Sequence, residues 1–318
     1  MTQDRWPPIA VVGAGAVGCY YGGMLARAGA PVTLIGRPLH VAAIERDGLL
    51  FESTRFTERV PVAASAEIAA ARGAGLVLFC VKSTDTEATA QALAPHLTPD
   101  AVVLSLQNGV DNVERIGSYL SCPTFPAVVY VAAAMAGPGH LRHTGGRGDL
   151  LIGALGRGGQ PAARPVLGRV AGFLQRADIP CVVSDNVEGE LWAKLLINCA
   201  YNAISALGRA RYRRIGAHAA ALGVLKEAVR EVIAVAQAAG VRLPAGDLVE
   251  AAVGISQSMA GATSSTAQDI ARGRRTEIDH LNGYVVGRGE ALGVPVPVNR
   301  TLHALVKLLE EAEEDEAR

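Results

Sequence analysis

Apolar residues in the first half of the chain fall in short runs with few polar interruptions: Ile9-Ala-Val-Val12, Pro31-Val-Thr-Leu-Ile35, Gly75-Leu-Val-Leu-Phe-Cys-Val81 and Ala101-Val-Val-Leu-Ser-Leu106. All four read as strands, and the last two, apolar on nearly every successive residue rather than on alternate ones, as strands buried on both faces, as in a parallel sheet. Helical spacing between them predicts helices from Ala16 to about Ala28, Thr84 to Ala94 and Asn112 to Tyr119. From Thr124 the texture changes to β-rich runs with glycine turns, at 124–134, 140–144 and 149–153, which read as a mixed or antiparallel extension of the sheet. A helix near 162–176 and a strand at 179–183 close this half. Beyond Val187 strand patterns vanish. Helices are expected over 187–207, 217–239, 246–259, 276–292 and 301–314, with breaks at Gly208, Gly240–Pro244 and Gly293–Pro297. The charged stretch from Glu310 to Arg318 reads as a solvated, fraying end.

The segment Gly13-Ala14-Gly15-Ala16-Val17-Gly18 directly follows the first strand and opens the first helix. Strand, Gly-x-Gly-x-x-Gly, helix and strand within about 30 residues is the context in which this motif binds a dinucleotide. Gly13 permits the tight turn, Gly15 lets the backbone approach a diphosphate, and Gly18 lets helix and strand pack closely. The helix start offers unpaired N–H groups and the positive end of its dipole to phosphate oxygens. At the end of the second strand, where NAD-binding chains usually place an acid for the ribose hydroxyls, the sequence reads Leu34-Ile-Gly-Arg37. A guanidinium there suits the 2′-phosphate of NADP(H). Lys82 and Asn108 follow two further strands, at the carboxyl ends where ligands of open α/β sheets bind. The fold class is therefore α/β, an N-terminal Rossmann-type doubly wound sheet over 1–186 followed by an all-helical domain over 187–318.

At 318 residues the chain suits two domains, and half of it is apolar. Thirty basic residues balance thirty acidic ones, which argues against a general electrostatic role on nucleic acid or an anionic membrane. No apolar run approaches the roughly 20 residues of a membrane span, and the first residues lack the pattern of a signal peptide. The five cysteines are scattered and never spaced Cys-x-x-Cys, so reduced thiols in a cytoplasmic protein are expected. No His/Cys/Asp grouping has metal-ligand spacing. His140 and His143 alternate with apolar residues and read as ordinary strand histidines. Only four of the thirty basic residues are lysines: Lys82, Lys194, Lys226 and Lys307. In so arginine-rich a chain, a lysine beside other polar motif residues gains weight, because only lysine can release its proton near neutrality.

In the first helix of the second half, Glu190, Lys194, Asn198 and Asn202 recur every four positions on a surface that is otherwise apolar almost all round. Two readings stand. In one the helix is buried and desolvation lowers the lysine toward a proton donor's pKa. In the other Glu190 and Lys194 form a surface pair and the asparagines face solvent. A second polar cluster spans Thr263-Ser-Ser-Thr-Ala-Gln-Asp269, followed by Arg274-Arg-Thr-Glu-Ile-Asp-His-Leu-Asn-Gly283. Thr276 could equally cap a helix, with Glu277 and Asp279 near its positive end.

Taken together, the glycine-rich start, Leu106-Gln-Asn-Gly109, Glu190-Leu-Trp-Ala-Lys-Leu-Leu-Ile-Asn198, Ser264-Ser-Thr-Ala-Gln-Asp269 and Thr276-Glu-Ile-Asp-His-Leu-Asn-Gly283 resemble the ketopantoate (2-dehydropantoate) reductase family, collinearly and over nearly the whole chain. The resemblance implies a Rossmann domain and an all-helical domain with the active site in the cleft between them, and an NADPH-dependent oxidoreductase of pantothenate and coenzyme A biosynthesis. It implies Lys194 as the general acid and Glu277 as the acid that binds substrate and holds the site's geometry. Asn108 would lie near nicotinamide and substrate, Asn198, Asn202 and Ser265 would bind the hydroxyl and carboxylate of a small 2-oxo acid, and Lys82 and Arg37 would contact the cofactor. A homodimer is the assembly it suggests. The alternatives are a paralogous reductase of another 2-oxo acid and a non-catalytic NADP-binding sensor; the sensor predicts loss of the lysine or the glutamate, and both are present.

Overall fold

The apolar runs become the centre of one sheet. The computed structural model describes residues 6–156 and 161–316. In order along the chain come β1 (Ile9–Val12), α1 (Ala16–Arg27), β2 (Val32–Ile35), α2 (Pro38–Asp47), β3 (Leu49–Glu52), β4 (Thr57–Val60), β5 (Ala63–Ser65), β6 (Leu76–Phe79), α3 (Thr86–Leu93), β7 (Val102–Ser105), α4 (Asn112–Gly117), β8 (Thr124–Gly137), β9 (His140–Ile152), α5 (Arg164–Arg176) and β10 (Cys181–Val183). The sheet order is β4-β3-β9-β8-β7-β6-β1-β2-β5, with β10 paired to β9. From β8 to β5 every neighbouring pair is parallel. The chain leaves β1 toward β2 and returns on its other side at β6, so the point of reversal lies between β1 and β6, where ligands of this fold class bind.

Burial explains why these runs do not alternate. Ile9, Val11, Leu34, Leu76, Leu78 and Leu104 belong to one core, with α1 and α5 over them. Ala10, Val12, Ile35, Val77, Phe79 and Val103 belong to a second core on the opposite face, with Leu93 of α3 and Ile116 of α4. Each strand therefore spends its odd residues on one layer and its even residues on the other, and the doubly wound expectation is met.

Two features depart from the sequence reading, and the reading of the two strand histidines holds. The stretch 38–65 holds α2 and three short strands that were not expected. The runs at 140–144 and 149–153 are one strand, β9, which pairs antiparallel with β8 through irregular registers near Ala132 and Met135. The intervening glycines continue the strand rather than turn it. Within it His143 is buried and its ring Nε2 lies 2.8 Å from Gly145 O, while His140 pairs with Glu52 at 2.9 Å; both are structural strand residues.

By its contacts the chain divides into Met1–Gln107 with Asp111–Val187, and Asn108–Val110 with Glu188–Arg318. The second unit is helical: α6 (Val187–Leu207), α7 (Tyr212–Ala217), α8 (Ala219–Ala238), α9 (Leu248–Ser258), α10 (Ser265–Ile270), α11 (Asn282–Leu292) and α12 (Pro297–Glu316). Its main core gathers Trp192, Leu195, Leu196 and Cys199 of α6 with Val229, Val232, Ala252 and Val285. A buried polar knot ties four helices: Asn282 Nδ2 donates to Cys199 O (3.2 Å) and Asn299 Oδ1 (2.9 Å), and Asn299 Nδ2 donates to Ala228 O (3.1 Å) and Glu231 (2.7 Å).

Here too the reading needs correction. The helix expected over 217–239 is α8, capped by His218, whose ring accepts the Ala221 N–H, but the short α7 before it was not expected. The helix expected from Thr276 begins only at Asn282. A 3-10 turn at Ile278–His280 precedes it, and Leu281 (φ −113°, ψ −101°) interrupts the helical path. The tail reading is corrected at Glu310, which is 8% exposed, and α12 continues to Glu316, while Glu311 and Ala312 are exposed and residues 317–318 lie outside the described residues. No described helix is long and apolar enough to cross a membrane.

Candidate active site

The glycine loop of the first unit is fastened to the end of β2, where Gly13 and Ala14 both donate their N–H groups to Ile35 O at 2.9 Å. Gly13 has φ +105°, and a Cβ there would lie 2.6 Å from Val81 N, so both backbone and packing demand glycine. A Cβ on Gly18 would strike Gly13 O, so α1 rests directly on the loop. Gly15 differs: its φ of −87° and ψ of −165° are open to any residue, and nothing lies within 4 Å of where its Cβ would stand. No side chain caps α1, whose first turn (Ala16, Val17, Gly18) begins with N–H groups that have no helical partner. An open cradle edged by free N–H groups fits the diphosphate of a dinucleotide.

Arg37 follows β2 as predicted. Its side chain is exposed and makes no ion pair or hydrogen bond among the described residues. Gly36 brings it there: a Cβ at Gly36 would sit 2.6 Å from Ala14 Cβ, so only glycine lets this strand end lie against the loop. The sequence reading passed over Gly36, although its place beside Arg37 was the available signal. Lys82 is half-buried and immediately precedes the short 3-10 turn Ser83–Asp85. That turn is braced by Arg115, which donates to Ser83 O (2.6 Å), Glu87 (2.6 Å) and Asn112 Oδ1 (3.2 Å). Nothing in the sequence marked Arg115 for this duty, because its partners become neighbours only once α3 and α4 pack.

In the helical unit, α6 carries the polar stripe. Lys194 is half-buried, and desolvation lowers its ammonium to a pKa of about 8, with the Glu277 carboxylate pulling it back up. It makes no hydrogen bond or ion pair among the described residues, so the surface pair with Glu190 does not form. Glu277 stands at the entry to the 3-10 turn and accepts a hydrogen bond from Asn108 Nδ2 at 3.1 Å. Asn202 is buried (3%) and donates to Ser265 Oγ at 3.4 Å. The neighbouring Ser264 is the structural member of that cluster. It caps α10 by accepting the Ala267 N–H and donates to Asn202 O at 3.1 Å. Asn198 is half-buried, and its amide has no partner among the described residues. Thus Asn108, Glu277 and Lys194 come together, as do Asn202 and Ser265. Thr276 does not start a helix; its N–H donates to Glu310 at 2.7 Å and its Oγ1 accepts from Ile278 N at 3.2 Å.

A dinucleotide cradle in one unit, and a half-buried lysine beside a carboxylate and amides in the other, belong to an oxidoreductase that works with a nicotinamide cofactor. The family profile described as Ketopantoate reductase PanE/ApbA matches residues 9–157, and its C-terminal counterpart matches residues 186–310. The chain belongs to the ketopantoate reductase family. It is 32% identical over 302 residues to the 2-dehydropantoate 2-reductase of Pyrococcus horikoshii, covering 95% of this chain and 97% of that one. A PanE/ApbA family ketopantoate reductase from Ralstonia eutropha JMP134 is 52% identical, with a TM-score of 0.90 over 96% of this chain and 99% of that one. A D-mandelate dehydrogenase solved with NADH is 25% identical, with a TM-score of 0.83 over 96% and 99% of the two chains.

Proposed function

We propose that the protein reduces 2-dehydropantoate (ketopantoate) to pantoate with NADPH, using Lys194 as general acid. The observation that carries this reading is Lys194: half-buried, lowered to about 8, without a hydrogen-bond partner among the described residues, beside a carboxylate that Asn108 orients. The cofactor, when bound, supplies hydride to the C2 carbonyl. As negative charge develops on the carbonyl oxygen, the Lys194 ammonium stabilises it and gives up its proton. The lowered pKa makes that proton available, yet leaves the group mostly protonated at pH 7. Glu277 holds the substrate hydroxyl, and its charge keeps Lys194 from falling further. Asn198, Asn202 and Ser265 supply amide and hydroxyl groups to the substrate's hydroxyl and carboxylate. Residues 1–186 hold the cofactor through Gly13, Ala14, Gly15, Ala16, Val17, Gly18, Arg37 and Lys82, with Asn108 at the nicotinamide; residues 187–318 hold the substrate.

Cofactor choice rests on Arg37, an exposed guanidinium at the end of β2 that is unpaired among the described residues. A charge-assisted hydrogen bond contributes about 1.5–3 kcal/mol, so R37A should lose about ten- to a hundredfold of its preference for NADPH over NADH. Equal preference in R37A and wild type, read from kcat/KM for both dinucleotides, would remove Arg37 from the cofactor site.

The likeness to D-mandelate dehydrogenase favours one second reading, an aromatic or branched 2-oxo acid reduced by the same groups. NADPH oxidation with ketopantoate, pyruvate, 2-oxoisovalerate, 2-oxoisocaproate and benzoylformate separates the two. A preference for ketopantoate of about a hundredfold, or roughly 2.7 kcal/mol, is expected; a preference of that size for benzoylformate would transfer the assignment to the second reading.

A further inference from the structure

Of the four lysines, Lys82 in the first unit and Lys194 in the second are already assigned roles, and Lys226 pairs with Glu250 (2.8 Å), a carboxylate that is more than half exposed. Lys307 is left, on α12, in a setting of its own. Its ammonium lies 3.0 Å from Asp279 Oδ2 and 2.9 Å from Glu310 Oε2. Glu310 uses its other oxygen to accept the Thr276 N–H at 2.7 Å. Asp279 uses its other oxygen on His303 Nε2 at 2.7 Å. The two carboxylates thus grip the chain on either side of Glu277, one through residue 276 and the other at residue 279, and a single ammonium joins them. Between these grips Ile278 is fully buried against Ala203, Ala228, Leu302 and Val306. Glu277 is therefore held in a short non-helical segment whose backbone has few ways to move while Lys307 is in place.

We propose that Lys307 is a positioning residue of the active site: by bridging Asp279 and Glu310 it clamps residues 276–279 and thereby fixes the Glu277 carboxylate against Asn108 and Lys194. The proposal rests on the reading of Glu277 as an active-site acid. Without the ammonium, Glu310 is a nearly buried carboxylate left with only the neutral donors of Thr276 and no counter-charge, and such a group moves toward water. Moving out, it releases Thr276 and slackens the segment that presents Glu277. Arginine is a poor replacement, because one compact nitrogen serves two oxygens of different residues, whereas a guanidinium spreads its donors across a plane. This accounts for a lysine at 307 in a chain whose other basic residues are mostly arginine.

The test is a double-mutant cycle of K307M with E277Q, with K307R alongside, assayed with ketopantoate or whichever 2-oxo acid of the panel is reduced fastest. K307M is expected to lower kcat/KM for the oxo acid ten- to a hundredfold. It should divide that loss between kcat and KM as E277Q does, and leave the KM for NADPH within twofold. K307R should lose roughly five- to tenfold while melting near wild type, so the proposal stays testable if K307M fails to fold. In the E277Q background K307M should add less than a twofold loss, since a clamp has nothing left to present. An equal loss in both backgrounds, or wild-type kinetics in both K307M and K307R, overturns the clamp while leaving Glu277 in its role. Full activity in E277Q overturns the reading of Glu277 and the clamp with it.

Discussion

Replacing Lys194 by Met is expected to lower turnover at least a hundredfold while leaving NADPH affinity within a few-fold of wild type. General acids contribute about 10²–10⁴ to rate, and Met keeps the stem without the proton. Arginine should fail as well, since its guanidinium does not give up a proton at working pH. The wild-type rate of reduction should fall as pH rises through about 8, where the ammonium is lost. A second consequence separates this role from a structural one. The folded chain holds this proton less tightly than the unfolded chain does, so Lys194 lowers stability at neutral pH. Displacement from 10.5 to about 8 corresponds to at most roughly 3 kcal/mol. That penalty is full below about pH 8 and fades as pH rises toward 10.5. K194M should therefore melt higher than wild type at pH 7, by an amount that shrinks at pH 10. Undiminished turnover in K194M, with NADPH bound normally, would remove the general-acid assignment.

Gly15→Val should leave the fold intact and weaken NADPH binding a hundredfold or more. The contrast with its neighbours carries the argument. At Gly13 and Gly18 a side chain would collide with backbone, so substitution there cannot separate folding from binding. At Gly15 the dihedrals suit valine, and a Cβ there meets nothing within 4 Å. The expected stability cost is that of a poorer helix N-cap, about 1 kcal/mol. The side chain would instead fill the space through which a diphosphate reaches the first-turn N–H groups. Fluorescence titration with NADPH beside a thermal melt reads both quantities; tight binding in a folded G15V protein would place the diphosphate elsewhere.

Much of this was legible in the chain because it depends on short-range pattern. The doubly wound core showed itself in runs apolar on nearly every residue, and the long α6 in its polar stripe. What escaped were elements whose reasons are distant. The segment 38–65 was missed because β3 is fixed by pairing with β9, some 90 residues later. Glu310 looked solvated because the N–H that it serves belongs to Thr276, 34 positions away. Thr276 and Glu277 carried the signature of a helix start, and tertiary contacts overrode it. Lys194 could be flagged by composition and spacing, but the choice between a buried acid and a surface pair needed the packing of α6.

Helix α1 meets the sheet through glycines at 18, 22 and 23; a Cβ on Gly22 would reach within 2.5 Å of Leu34, and one on Gly23 within 2.9 Å of Phe51. Close approach is gained at the expense of autonomy. Each glycine costs a helix about 1 kcal/mol relative to alanine, and helices as short as this one are marginal in water even when alanine-rich. On its own this segment would be mostly coil. The first turn that faces the cofactor therefore comes into being only when β1, β2 and β3 have closed around it, so the phosphate cradle is a late product of the sheet's assembly rather than a seed for it.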